Sequence, residues 1–199
     1  MISELIGAQI RGYTLRIGEI LARIGLTPNA LTAIGLALNV VVAAVIATGH
    51  LVPGGILLLL ASGFDMLDGA VARASGTVTR FGGFLDSTID RYSEAVVLGG
   101  VLLYVLGTDD YWLGALLVFA ATIGSIMISY ARARAEAAGW KASVGLLARP
   151  ERVVVLAAGL LTGYVIAALW ILAIGTHLTV VTRMAHVWRL SRRVEPHAG

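Results

Sequence analysis

The sequence predicts an all-α integral membrane protein in which an N-terminal interfacial amphipathic helix precedes six transmembrane helices. Apolar residues make up 58% of the 199 residues and charged residues 14%, whereas soluble domains average about 45–50% and about 25%. The mean hydropathy is +0.86, and the length allows several crossing helices of about 20 residues each. The chain has no cysteine, which excludes thiol catalysis and cysteine metal sites.

The first 26 residues carry the pattern of an amphipathic helix that lies in the membrane interface. Apolar residues recur at three- and four-residue spacing, and charged residues occupy other faces. A protein-packed amphipathic helix fits the same pattern equally well. The apolar positions are Ile2, Ile6, Ile10, Tyr13, Ile17, Ile20, Leu21 and Ile24.

A new helix is predicted to start at Thr27-Pro28, with threonine as the N-cap and proline in the first turn. The stretch 151–193 is too long for one span, and we divide it near Gly163-Tyr164. The predicted spans are 29–50, 51–74, 81–107, 111–138, 151–163 and 164–193. The predicted organisation is therefore an interfacial helix at 1–26, a six-span domain at 27–193 and a C-terminal tail at 194–199.

The distribution of basic residues predicts the orientation in the membrane. Arginine and lysine occur before the first span, between spans two and three, between spans four and five, and at the end of the chain. The connections on the opposite side, near 50–53, 108–110 and 163, contain none. Cytoplasmic segments carry the basic residues in membrane proteins. We therefore expect both termini on the cytoplasmic side of the cell membrane.

Five acidic residues fall inside predicted spans two and three, where carboxylates are costly and usually functional. Asp65 and Asp68 share one face near the end of span two, and Asp86 and Asp90 share one face near the start of span three. Glu94 follows one turn later. The short connection predicts that these spans are antiparallel neighbours, so that the four aspartates converge.

Four carboxylates in a low dielectric stay ionised only when cations hold them. A set of oxygen donors without histidine or cysteine favours Mg²⁺ or Mn²⁺. Buried pairs with Arg73 and Arg91 are the alternative, although two arginines are few for four aspartates. Gly69 and Gly82 lie beside the carboxylates, where a missing side chain would let a ligand approach the backbone or two helices pack closely.

The spacing Asp65-x2-Asp68-Gly69-x2-Ala72-Arg73-x8-Gly82-x3-Asp86-x3-Asp90 resembles the motif of the CDP-alcohol phosphotransferase family. The resemblance implies metal-dependent transfer of a phosphatidyl group from a CDP-linked lipid to an alcohol, with release of CMP. It implies that two Mg²⁺ or Mn²⁺ ions bind to Asp65, Asp68, Asp86 and Asp90, and that Asp90 also acts as the base. The implied contacts to the donor are Pro28, Asn29, Ala30, Leu31, Gly69, Arg73 and Thr79.

Arginines around the loop after span four favour an acceptor that carries a phosphate, because arginine binds phosphate with two hydrogen bonds. Alternatively, these arginines set the orientation of the protein in the membrane or attract anionic lipids. The run from Ser129 to Glu136, followed by Arg149-Pro150-Glu151-Arg152, resembles prokaryotic phosphatidylinositol-phosphate synthases. The implied reaction joins inositol 1-phosphate to CDP-diacylglycerol, and the implied acceptor contacts are Ser129, Arg132, Arg152 and, by spacing only, Arg192.

Several alternatives remain at this point. A phosphatidylglycerophosphate synthase would use glycerol 3-phosphate with the same aspartates, and an ether-lipid donor is compatible with the sequence. A divalent-cation transporter is a third alternative, although the acidic residues cluster near one membrane face. The resemblance also implies a homodimer in membrane lipid, whereas the basic–aromatic interleaving typical of nucleic-acid binding is not seen.

Overall fold

The structure, a computed structural model, describes residues 18–21, 23, 25–142 and 144–194. Throughout these ranges the regular structure is helical, without strands, which confirms the all-α prediction. The predicted interfacial helix lies mostly outside the described residues. Its end is helical at residues 18–21 and 23, and Gly18 lies against the main chain of Ala70.

Between residues 28 and 194 the described chain forms six helices. They are α1 (Pro28–Ala47), α2 (Leu51–Ala74), α3 (Arg80–Val105), α4 (Tyr111–Ala137), α5 (Arg149–Thr162) and α6 (Val165–Val194). Their bounds differ from the predicted spans by at most three residues, because hydropathy and turn residues are local properties of the chain.

Local signals in the sequence set two of these boundaries. The Thr27 side chain accepts a hydrogen bond from the Ala30 amide at 3.2 Å, which satisfies an amide that the helix leaves unpaired. The predicted break near Gly163 is confirmed, since Gly163 ends α5 with a left-handed φ of 80°. A residue other than glycine would be strained in that conformation, and α6 starts two residues later.

Four of the helices are long and apolar enough to cross a membrane, namely α1, α2, α4 and α6. Helix α3 has 26 residues but carries several charged side chains. Helix α5 has 14 residues, fewer than the roughly 20 that a perpendicular crossing needs. The structure therefore supports a membrane protein with at least these four spans.

The six helices pack as a ring around a shared interior. Going round it, α1 contacts α2, α2 contacts α5, α5 contacts α6, α6 contacts α4, α4 contacts α3, and α3 returns to α1. The prediction that spans two and three are neighbours is wrong within this part of the chain, because α2 and α3 pack on α1 and not on each other. Helix α1 separates them, although the loop that joins them is short.

The interior of the ring is apolar at one end and polar at the other. Buried side chains including Ile46, Val105, Leu160 and Leu169 fill the end formed by the C-terminal half of α1 and the N-terminal half of α6. Gly100 lies there against the Ala43 main chain, an approach that a larger side chain would block. The opposite end contains the aspartates of α2 and α3, so this end contains the candidate site.

Candidate functional site

The four predicted aspartates face each other across the polar end of the ring. Asp68 of α2 and Asp86 of α3 line the same cavity. The Thr32 hydroxyl of α1 donates to Asp68 Oδ2 at 2.9 Å, and the Gly69 amide donates to Asp68 Oδ1. Asp68 is therefore held on both oxygens, one by α1 and the other by its own helix.

The other two aspartates are joined by one arginine from α5. Arg149 Nη2 donates to Asp65 Oδ2 at 2.7 Å, and Arg149 Nη1 lies 2.7 Å from Asp90 Oδ1. A guanidinium presents its donors in a rigid plane, so it holds two carboxylates at a fixed separation. The aspartates of α2 and α3 are thus linked through a third helix.

A large cavity of about 730 Å³ opens on one side of the aspartates, between α1, α2 and the start of α3. We call it the aspartate cavity, because Asp68 and Asp86 line it. Its other polar lining residues are Thr27, Asn29, Thr32, Arg73, Ser75, Thr77 and Thr79. Thr79 also caps α3, since its hydroxyl accepts from the Gly82 amide at 2.9 Å.

A second cavity of about 210 Å³ opens on the other side of Asp90. We call it the arginine cavity, because five arginines line it together with two acids. These side chains come from α3, α4, α5 and α6, so the cavity lies inside the ring. Its polar lining is Asp90, Arg91, Glu94, Ser129, Arg132, Arg149, Arg152 and Arg183.

The arginines of this cavity differ in how many of their N–H groups already form hydrogen bonds within the protein. Arg152 is 5% exposed, and its three nitrogens bind Glu94 at 2.6 and 2.7 Å and the Leu147 carbonyl at 3.1 Å. Arg183 donates to the carbonyls of Val144 and Ile128. Arg132 is 56% exposed, and among the described residues its ion pair is with Glu136 of its own helix.

Asp90 lines the arginine cavity, and Asp86, one turn earlier on α3, lines the aspartate cavity, so one face of α3 serves both cavities. A phosphate in the arginine cavity would face a strongly positive wall, because arginines outnumber acids there. A carboxylate beside such a phosphate can accept a proton from a neighbouring hydroxyl. The arrangement suits the joining of two substrates that approach from opposite sides.

Comparison with known proteins identifies the family. Residues 25–188 match the family described as CDP-alcohol phosphatidyltransferase. The chain belongs to this family. It is therefore an enzyme of phospholipid biosynthesis, as its motif predicts.

Relatives of this phosphatidyltransferase cover nearly the whole chain. The archaetidylinositol phosphate synthase of Pyrococcus horikoshii is 39% identical over 90% of this chain and 92% of its own. The phosphatidylinositol phosphate synthase of Mycobacteroides abscessus is 42% identical over 86% of this chain and 81% of its own.

A solved structure of the Mycobacterium tuberculosis phosphatidylinositol phosphate synthase with CDP-DAG bound has a TM-score of 0.82 to this phosphatidyltransferase. The two are 34% identical, and the match covers 88% of this chain and 93% of that one. The same mycobacterial synthase has been solved in complex with manganese and citrate.

The structure places most of the predicted donor contacts of the phosphatidyltransferase around the aspartate cavity. Pro28, Asn29, Gly69, Arg73 and Thr79 line it. Ala30 and Leu31 are not among the residues that line it. The Ala30 amide donates to the Thr27 hydroxyl at the helix start, and the Leu31 side chain is buried in the interior.

The predicted acceptor contacts divide in the same way. Ser129, Arg132 and Arg152 line the arginine cavity, whereas Arg192 does not. Arg192 lies over the Trp188 ring, with its guanidinium carbon 4.2 Å from the ring centre. Arg183 occupies the cavity instead. Arg192 lies about 13 Å further along α6 than Arg183.

Sequence reasoning left four residues of the phosphatidyltransferase site unassigned, namely Thr32, Glu94, Arg149 and Arg183. Glu94 could have been assigned, because it continues the face of Asp86 and Asp90. A polar stripe of buried residues on α6, formed by Thr176, Thr179 and Arg183, marks Arg183 in the same way. Arg149 belongs to the arginine-rich run after span four, but that run does not indicate a contact with Asp65 or Asp90, and no local pattern identifies Thr32.

The aspartates fit the divalent cation that the phosphatidyltransferase family implies. Their donors are all carboxylate oxygens, the type that Mg²⁺ and Mn²⁺ prefer. Gly35 of α1 leaves the space that the Asp65 carboxylate occupies, because a Cβ at Gly35 would overlap Asp65 Oδ1. Across the described ranges no three acidic or histidine side chains are disposed to hold a metal as they stand, and Asp65 and Asp90 each contact Arg149.

Gly35→Ala is expected to lower turnover by about 10²-fold, because misplacing a catalytic group by about 1 Å has effects of that size. The added methyl group must push the Asp65 carboxylate away from Arg149. CMP release from the CDP-lipid measures the effect. Gly63→Ala on α2 is the matched control, since a Cβ there meets no neighbouring atom, and equal activity of the two variants would contradict the prediction.

Proposed function

We propose that this enzyme transfers a phosphatidyl group from CDP-diacylglycerol to inositol 1-phosphate, forming phosphatidylinositol phosphate and releasing CMP. The proposal rests on one face of α3, where Asp86 lines the aspartate cavity and Asp90, one turn later, lines the arginine cavity. The relatives named above share an inositol phosphate product and differ in the lipid that carries it. The shared inositol phosphate product supports inositol 1-phosphate as the acceptor more strongly than it supports CDP-diacylglycerol as the donor.

In this proposal the CDP-lipid lies in the aspartate cavity, with its lipid chains in the membrane. Arg73, Asn29 and Thr79 contact the CDP group. Asp65, Asp68, Asp86 and Asp90 hold two divalent cations, Mg²⁺ or Mn²⁺, and the manganese complex of the mycobacterial synthase supports this assignment. Bound cations neutralise the pyrophosphate charge and stabilise the leaving CMP.

The acceptor phosphate lies in the arginine cavity, bound by Ser129, Arg132, Arg149 and Arg183. Arg152 supports this wall through Glu94. Binding there brings a hydroxyl of the inositol ring to Asp90, whose carboxylate takes the proton as the new ester bond forms.

We further propose six membrane spans in a homodimer of the cell membrane, with both termini and the site on the cytoplasmic side. Helices α3 and α5 would complete the ring within the bilayer, their charged side chains facing its interior. The arginines near the polar end of the ring support this orientation.

A substrate panel tests the proposed acceptor. Purified enzyme with Mg²⁺ and CDP-diacylglycerol is offered inositol 1-phosphate, glycerol 3-phosphate or free inositol in separate reactions. We expect CMP release with inositol 1-phosphate alone, because free inositol lacks the charge that the arginines bind. Repeating the panel with an ether-linked CDP-lipid tests the donor.

Other outcomes of the panel have clear meanings. Release with glycerol 3-phosphate in place of inositol 1-phosphate would identify a phosphatidylglycerophosphate synthase. The absence of CMP release with every acceptor and both donors would contradict the proposal. Metal flux in liposomes would then test divalent-cation transport.

A further inference from the structure

We propose that Arg149 couples cation binding at the aspartates to formation of the acceptor site. The guanidinium that joins Asp65 to Asp90 would turn into the arginine cavity when divalent cations take those carboxylates, and would there bind the acceptor phosphate. This inference rests on the proposed function and deepens it, because it makes one side chain serve both halves of the site in turn.

The first step of the argument is competition for the same oxygens. Arg149 contacts Asp65 Oδ2 and Asp90 Oδ1, each at 2.7 Å. A divalent cation on these carboxylates needs their oxygen lone pairs and repels a guanidinium held a few ångströms away. Cation binding and the Arg149 bridge therefore oppose each other, and full occupation of the aspartates displaces the arginine.

The second step is that Arg149 can move while its neighbour cannot. Arg149 is the first residue of α5, and its side chain is 30% exposed. It already lines the arginine cavity, beside Ser129 and Arg132. Arg152 lines the same cavity, yet it is buried and all three of its nitrogens are bound.

The ring of helices makes this movement inexpensive. Helices α3 and α5 are not packed against each other anywhere in the described chain, and they meet through the pairs Arg149–Asp90 and Arg152–Glu94. When Arg149 turns away, the buried Arg152–Glu94 pair still links the two helices. The Arg149–Asp90 pair can therefore open while the Arg152–Glu94 pair keeps the two helices joined.

Coupling of this kind is reciprocal. If cations release Arg149 for the phosphate, then the phosphate must raise cation affinity by the same factor, typically about 5–150-fold for coupled sites. The enzyme would then load cations and acceptor cooperatively. An aspartate cluster without acceptor would remain bridged by arginine and bind cations weakly.

Mn²⁺ binding, followed by electron paramagnetic resonance of the purified enzyme in detergent, tests the coupling without turnover. We expect inositol 1-phosphate or inorganic phosphate to tighten Mn²⁺ binding by about tenfold or more, and free inositol to have no effect. Arg149→Gln should bind Mn²⁺ more tightly than wild type without phosphate, and phosphate should add nothing. Arg149→Lys should lie between them, because an ammonium group cannot bridge both carboxylates.

Arg134→Gln is the matched control, since Arg134 also lies on the loop side of the ring but does not line the arginine cavity. It should keep the wild-type enhancement by phosphate. The proposal is overturned if phosphate leaves Mn²⁺ affinity of the wild type unchanged, or if both Arg149 variants bind Mn²⁺ more weakly than wild type.

CMP release on the same preparation separates this inference from the proposed function. Release with inositol 1-phosphate together with uncoupled Mn²⁺ binding would overturn the role of Arg149 and leave the function intact. A wild-type enzyme that neither binds Mn²⁺ nor releases CMP would overturn both.

Discussion

Asp90→Asn is expected to abolish measurable turnover, with a loss of about 10²–10⁴-fold from the missing base alone. The amide keeps the size of the side chain but accepts protons poorly and lacks the charge that a cation needs. CMP release with saturating donor and acceptor measures the loss. Thermal unfolding in detergent should show a folded protein, because Arg149 retains its contact with Asp65.

Asp109→Asn is the matched control for this substitution. Asp109 is an exposed residue in the connection between α3 and α4, at the opposite end of the ring from the site. Its loss of charge should leave turnover near the wild-type value. Substantial activity of Asp90→Asn under the same conditions would remove Asp90 as the base.

Arg152→Ala is expected to have the largest effect on stability, lowering the free energy of unfolding by about 3–5 kcal/mol, as when one partner of a buried ion pair is removed. The change leaves the Glu94 carboxylate without its two hydrogen bonds. It also breaks a link between α3 and α5, which do not pack directly within the described residues. Thermal or denaturant unfolding in detergent measures the loss.

The same substitution should raise the KM for the acceptor by about tenfold, equivalent to about 1.4 kcal/mol, while the donor KM changes little. An unpaired Glu94 carboxylate in the arginine cavity would repel the acceptor phosphate. An equal rise in both KM values would show that Arg152 does not serve the acceptor side.

The double variant Glu94→Gln with Arg152→Gln tells whether Arg152 acts through Glu94 or on the phosphate. Two amides can hydrogen-bond to each other without a buried charge, so we expect most of the stability and the acceptor KM to recover. Recovered stability with a raised acceptor KM would instead mean that Arg152 contacts the phosphate itself.

Much of the helical framework could be predicted because its causes are local. Apolar length predicts a helix at 51–74, where the structure has Leu51–Ala74. The Thr27 cap and the glycine that ends α5 follow from the conformational preferences of single residues. The aspartate motif was equally accessible, since its spacing within each helix fixes which side chains share a face.

The neighbours of each helix could not be predicted in this way. A short loop suggested that α2 and α3 pack together, but α1 lies between them. The position of Arg183 in the arginine cavity likewise depends on how α6 is placed against α4, and spacing along the chain favoured Arg192 instead. Such placements depend on the packing of whole helix surfaces.

The sequence by itself therefore determined the helices, the family motif and the reaction class. Only the tertiary structure brought Arg149 to Asp65, a residue 84 positions away, and Arg152 to Glu94, 58 positions away. Spacing along a helix is fixed by its 3.6-residue period, whereas contacts between distant helices depend on the closure of the whole ring. For that reason, the different partners of Arg149 and Arg152 could be identified only from the tertiary structure.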